Sequence, residues 1–175
     1  MLNPITKQII DLFESKGGSM YGGEAVTQLE HALQAADLAK KNHASDSLIA
    51  ASLLHDLPEM ASEEGIDDVH EDLAGRFLKE YFIDAVTEPV KLHVQAKRYL
   101  CAVEPGYYES LSQPSKTSLA LQGGIMVDQE IVEFQKNPYY HDAVSLRKWD
   151  DLAKVSNLDC PDLNEYITSI ENSLK

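Results

Sequence analysis

Apolar residues recur at three- and four-residue steps along nearly the whole chain, and alternating strand-like runs are missing. That period restricts the chain to helices, so the predicted fold class is all-α, a single helical bundle. Asn3 and Pro4 predict the cap and first position of an opening helix that passes Ile9, Ile10 and Phe13 and stops near Gly17 and Gly18. A loop is expected from Gly17 to Glu24. Val26, Leu29, Leu33 and Ala36 then place a stripe on a long helix reaching about Asn42, and residues 46–57 form another that Pro58 should end. Glu63 to Asp68 reads as an acidic loop. Further helices are expected over about 70–81, 84–103 (with Pro89 a potential break), 115–122, 128–136, 139–155 and 162–174. Repeats, low-complexity tracts and Pro/Ser-rich linkers are missing, so residues 1–175 read as one domain.

Hydrophobic residues make up 43% of the chain, enough apolar mass for one core. Against 15 Lys and Arg stand 29 Asp and Glu, a net charge of -14 that repels polyanions and disfavours nucleic acid and anionic membrane as partners. An anionic ligand must therefore be attracted by a local cluster of bases or by metal. The two cysteines, Cys101 and Cys160, have no CxxC spacing and fit a reducing compartment. The chain shows neither a signal-like start nor a long apolar run. A cytoplasmic protein, monomeric by default, is the expectation.

Four of the six histidines, His31, His55, His70 and His93, lie beside other potential ligands in helical or helix-end contexts. His55-Asp56 closes the apolar segment 48–54. Adjacent helix positions point ~100° apart, so both can ligate only a metal at the helix edge, where the exposed carbonyl end also favours a cation. Imidazole nitrogen with carboxylate oxygen suits iron or manganese, and the tight spacings of structural zinc sites are missing. Lys97 follows His93 by one turn, and Arg147 precedes Asp150 by three residues. Each pair shares a helix face, which sets a cation beside a proposed ligand.

The order His31, His55-Asp56, His70, His93, Asp150 is that of the HD-domain superfamily. The stretches Tyr21-Gly-Gly-Glu24, Gln28-Leu-Glu-His31, Leu53-Leu-His-Asp56, His70-Glu71, 93–100 with Arg98-Tyr99-Leu100, Gln122-Gly-Gly124 and Arg147-Lys-Trp-Asp150 resemble the 2-amino-1-hydroxyethylphosphonate dioxygenases, over about residues 20–155. These are HD-domain oxygenases with a mixed-valent di-iron centre. The resemblance implies that His31, His55 and Asp150 hold one iron, His70 and His93 the other, and Asp56 bridges them, with iron as Fe(II)/Fe(III) and dioxygen as co-substrate. It assigns Lys97, Arg147 and Ser115 to the phosphonate. Tyr21 would cover the metal until substrate displaces it, and Glu24 would receive a substrate amine. Glu30 or Glu71 would fix the tautomer of a ligand histidine, whereas His43 and His141 are expected at the surface and Trp149 in the core.

The implied reaction is oxidative cleavage of the carbon-phosphorus bond of a 1-hydroxy-2-aminoalkylphosphonate, a small-molecule organophosphonate, to phosphate and an amino acid. One position departs from the family pattern. Three residues beyond Asp56 that pattern has a histidine, but this chain has Glu59, an anion at neutral pH that can accept a proton or order a water. Glu59 supports the alternative reading, a metal-dependent phosphohydrolase in which it activates water. A non-catalytic HD module and a polyol ring-cleaving oxygenase are weaker alternatives, since all six ligand positions are filled and Lys97 and Arg147 suit a phosphonate.

Overall fold

The computed structural model describes residues 1–57 and 76–175, and within them the all-α expectation holds. Helix α1 (Pro4–Lys16) starts where Pro4 has no N–H to lose and the Asn3 side chain accepts from the Ile5 N–H. Helix α2 (Gln28–Lys41) opens on a capping box, the Thr27 hydroxyl accepting from the Glu30 N–H while the Glu30 carboxylate accepts from the Thr27 N–H. Glu30 is therefore committed to the cap and does not serve His31. Gly17 joins the two helices by close approach. A Cβ there would lie 2.3 Å from the Phe13 carbonyl oxygen and 2.9 Å from Leu29 Cβ, and the Leu29 N–H donates to the Gly17 carbonyl at 2.9 Å.

Helix α3 (Asp46–Leu54) is buried at every position from Leu48 to Leu54, so it runs through the middle of the bundle. It ends three residues before the expected Leu57, because His55 caps it and the chain turns there. Residues 76–81 are helical, and the stretch expected over 70–75 lies outside the described residues, as do Pro58 and the acidic loop. Helix α4 (Asp84–Val103) runs unbroken through Pro89, whose ring is buried. A short helix α5 (Tyr107–Ser110), absent from the expected set, starts after Gly106 at φ 81°. Helix α6 (Gln113–Leu121) begins two residues early, since Ser112 caps it by accepting from the Ser115 N–H. Helix α7 spans Asp128–Gln135.

Helix α8 (Tyr140–Leu152) stops three residues short of the expected Val155. The backbone beyond it bonds to α2 instead, the Gln34 amide pairing with both the N–H and the carbonyl of Val155. The expected last helix is a 3-10 turn (Leu163–Tyr166) followed by α9 (Ile167–Glu171). The principal core joins α1, α2, α3, α4 and α8 through Phe13, Ala36, Leu53, Leu54, Val86 and Leu146, with Phe82 and Tyr166 fully enclosed. Each large apolar side chain so buried contributes roughly 1.5–3 kcal/mol. Trp149 packs on this core half-buried, and His43 and His141 are exposed as expected. Among the described residues no helix is long and apolar enough to cross a membrane.

Candidate metal centre and its cavity

Three elements deliver four ligand-type side chains to one buried point. His31 comes from the second turn of α2, His55 and Asp56 from the end of α3, and Asp150 from the last turn of α8. His31 Nε2 lies 3.0 Å from Asp150 Oδ1, 3.2 Å from Asp56 Oδ2 and 3.1 Å from His55 Nε2. His55 Nε2 lies 3.0 Å from Asp56 Oδ2 and 3.4 Å from Asp150 Oδ1. One donor atom from each of the four falls within 4.8 Å of all the others.

The tautomers show what this arrangement can bind. His31 Nδ1 is 2.7 Å from the Ala153 carbonyl, and His55 Nδ1 is 2.7 Å from the Ser52 carbonyl. A carbonyl only accepts, so each Nδ1 carries the hydrogen and each neutral ring aims the lone pair of Nε2 at carboxylate oxygens. Lone pairs at 3.0–3.4 Å repel unless a cation sits among them. Asp56 Oδ2 is buried, and among the described residues no hydrogen bond reaches it. Donors bound to one first-row metal at ~2.1 Å stand roughly 3.0–3.4 Å apart at octahedral to tetrahedral angles, which is the spacing found. The donor set therefore fits a metal ion, and nitrogen with oxygen ligands suits iron or manganese.

A proton is the other cation that relieves the cluster. Burial alone lowers the His31 imidazole, but Asp150 and Asp56 outweigh it and push it up to about 9. His55 is likewise raised, against its burial, by the same two carboxylates. Burial alone would raise Asp56 and Asp150, yet His55 and His31 hold Asp56 below the usual carboxylate range, and Arg147 with the histidines does so for Asp150.

His93 stands beside this cluster on α4, its ring 5.3 Å from that of His55 and its Nδ1 2.5 Å from the Val90 carbonyl, so its Nε2 is free of the hydrogen as well. Burial, then the neighbouring His55, lowers it. His70, Glu59 and Glu71 lie outside the described residues. Backbone carbonyls of Ala153, Ser52 and Val90 orient His31, His55 and His93, and Glu30, one of the two expected acceptors, orients none of them.

Beside the cluster lies a cavity of about 210 Å³, lined by Tyr21, Glu24, Lys97, Ser115, Arg147 and Lys154 together with His55, Asp56, His93 and Asp150. The Tyr21 ring stacks on His31 at 3.9 Å and its hydroxyl reaches Asp150 Oδ1 at 3.5 Å, covering the cluster from the loop before α2. Lys97 is almost wholly buried and donates to the Ser115 carbonyl at 3.0 Å and to Ser118 Oγ at 2.8 Å. Burial, then the Arg147 guanidinium, lowers it to about 8. Arg147 is buried too, bonded to Asp150 Oδ2 at 2.9 Å and to Ser115 Oγ at 3.3 Å.

Sequence reasoning passed over several residues here. Asp151 binds Arg147, and Tyr107 donates to Asp151; only the i, i+4 spacing of Arg147 and Asp151 signalled the first. Lys154 follows the helix end and carried no periodic signal. Gln122 lines the cavity with its amide oxygen buried, and among the described residues that oxygen has no hydrogen bond. Gly123 and Gly124 make the cap that ends α6, and their carbonyls also accept from Arg98.

Fold and site together define a class, an all-α protein with a buried histidine–carboxylate cluster able to bind metal. No protein-family model matches the sequence. It is 49% identical to a hydroxymethylphosphonate dioxygenase of Gimesia maris, over 95% of this chain and 87% of that protein. It is also 38% identical to a 1-hydroxy-2-(trimethylamino)ethylphosphonate dioxygenase of Leisingera caerulea that forms glycine betaine, over 95% of this chain and 89% of the relative. The chain belongs to the phosphonate dioxygenase family. Dioxygenase chemistry implies a metal and dioxygen, and among the described residues the buried cluster is able to hold a metal.

Proposed function

We propose that the protein is a di-iron dioxygenase that cleaves the carbon-phosphorus bond of a 1-hydroxyalkylphosphonate. One hydroxyphosphonate and one dioxygen give one inorganic phosphate and one carboxylic acid, the hydroxyl-bearing carbon becoming the carboxyl carbon. The observation that carries this reading is the set of imidazole and carboxylate lone pairs converging beside two buried cations, Lys97 and Arg147. His31, His55 and Asp150 would hold one iron, His70 and His93 the other, and Asp56 would bridge. Bound iron supplies the activation of dioxygen and the Lewis acidity that the side chains lack.

The side chains bind and orient. Lys97 and Arg147 neutralise the phosphonate in a low-dielectric cavity, with Ser115 between them as a hydroxyl partner. Tyr21 shields the cluster until substrate displaces its side chain. The same reading takes residues 1–175 as one HD-type domain, monomeric and cytoplasmic. The cavity is smaller than the ~300–1,000 Å³ of drug-sized ligand sites, which favours a compact phosphonate over a nucleotide.

Iron analysis and electron paramagnetic resonance of aerobically purified protein test the reading, together with phosphate release from hydroxyphosphonates with and without dioxygen. Two iron equivalents, a mixed-valence signal and strictly dioxygen-dependent release are expected. Release from nucleotides without dioxygen would replace the reading with a hydrolase, for which Glu59 would activate water.

A further inference from the structure

Glu24, the acidic residue of the loop beside the cavity, already has a cationic partner in this chain. Lys154 Nζ lies 3.2 Å from Glu24 Oε1, the two side chains being 13% and 12% exposed. Ser112 Oγ donates to the same carboxylate oxygen at 2.6 Å and accepts from Lys154 Nζ at 3.4 Å. Lys154 is held where it stands. On one side the Ala153 carbonyl accepts from His31, and on the other the Val155 backbone is bonded twice to Gln34 on α2. Glu24 is fixed as well, its N–H donating to the Tyr21 carbonyl at 2.7 Å after a turn in which Gly23 takes φ 77° against Pro114.

We propose that Lys154 is a specificity-determining residue, which keeps Glu24 as its own counter-ion and so selects 1-hydroxyalkylphosphonates that carry no ammonium group. This rests on the function proposed above and names its substrate class. A substrate ammonium approaching Glu24 meets the ammonium of Lys154, at a site with little water to screen two like charges. To use the carboxylate it must displace a lysine whose backbone cannot follow it away. A short neutral substituent, or none, meets no such opposition.

The test compares hydroxymethylphosphonate with 1-hydroxy-2-aminoethylphosphonate on the iron-loaded protein. Dissociation constants are measured by calorimetry without dioxygen, and phosphate release with it. The unaltered protein should bind hydroxymethylphosphonate the more tightly by roughly tenfold or more, one decade being the smallest effect of a like-charge contact worth ~1.4 kcal/mol. Lys154→Met should erase that preference and Lys154→Arg should keep it. If Lys154→Met does not fold, Lys154→Gln carries the same expectation. Equal or tighter binding of the amino compound by the unaltered protein overturns the proposal, as does a preference that survives loss of the Lys154 charge. If neither compound released phosphate with dioxygen, the proposed function would fall, and the binding ratio would still decide the role of Lys154.

Discussion

Asp151 Oδ1 accepts two hydrogen bonds from Arg147, at 3.1 Å from Nε and 2.6 Å from Nη2, while its other oxygen accepts from the Tyr107 hydroxyl. Asp150 and Ser115 take further donors of the same guanidinium. The planar group is thus fixed along one edge, and its orientation toward the cavity depends on Asp151. Burial and the Asp151 carboxylate raise the Tyr107 phenol, which keeps its proton and stays a donor. Asp151→Asn should leave kcat within a few-fold and raise KM for the phosphonate roughly tenfold, the pattern of lost uniform binding. Steady-state phosphate release checks it, and Asp151→Glu should recover part of the loss.

Loss of ligands should follow the proposed division of the site. Asp56→Ala removes a buried carboxylate from between two imidazoles and should abolish iron binding and activity together. His70→Ala should lower iron content from two equivalents toward one. His141→Ala should change neither, since that ring is exposed and its contact is with Tyr140 at 3.9 Å. Iron per chain, measured on protein whose helicity is intact by circular dichroism, reads all three. Chelation should also lower the melting temperature of the unaltered protein, because a metal that binds only the folded state stabilises it.

Gly17→Ala tests the junction that sets α1 against α2. The new Cβ would meet the Phe13 carbonyl oxygen at 2.3 Å, a backbone atom that cannot turn aside as a side chain can. Leu29 Cβ of α2 lies 2.9 Å from the same position, so the end of α1 and its junction with α2 must both shift, at a cost of about 1–3 kcal/mol. Gly18→Ala has open space and should cost only a few tenths. Chemical denaturation of the two variants gives the comparison.

The helices were legible because their signals are local. Asn3 with Pro4 announced the first start, and the stripe Val26, Leu29, Leu33 and Ala36 and the apolar run 48–54 marked the next two helices. The histidines and the His55-Asp56 pair stood out as potential ligands, but the grouping of His31, His55, Asp56 and Asp150 into one cluster was legible only through resemblance, since residues from three elements share no spacing that periodicity can detect. Ends were less legible than starts. Helix α8 stops at Leu152 because Ala153 and Val155 bond to α2, and α3 stops at Leu54 because His55 turns in to the Ser52 carbonyl. The residues missed at the site, Asp151, Tyr107 and Lys154, act through partners 4, 44 and 130 positions away. Only the first of those distances leaves a mark in a sequence.

Lys97 gives the site a dependence on pH. Its burial, and then the Arg147 guanidinium, lower it to about 8 from the usual 10.5 of a lysine. The ammonium form attracts an anion and donates to it, and the neutral amine does neither with comparable strength. Affinity for an anion should therefore be full below about pH 7 and fall as pH rises through about 8. Sulfate, whose charge does not change across this range, is the appropriate probe. Its inhibition constant should rise with pH in the unaltered protein and stay flat in Lys97→Met. Stability runs the other way. Between about 8 and 10.5 the unfolded chain binds the proton that folded Lys97 has released, so this lysine's contribution to stability is complete above 10.5 and is lost as pH falls through about 8. A protein that grips sulfate less tightly at pH 9 while Lys97 itself favours the folded state more would show both halves of that linkage, and an inhibition constant flat with pH in the unaltered protein would remove Lys97 from the anion site.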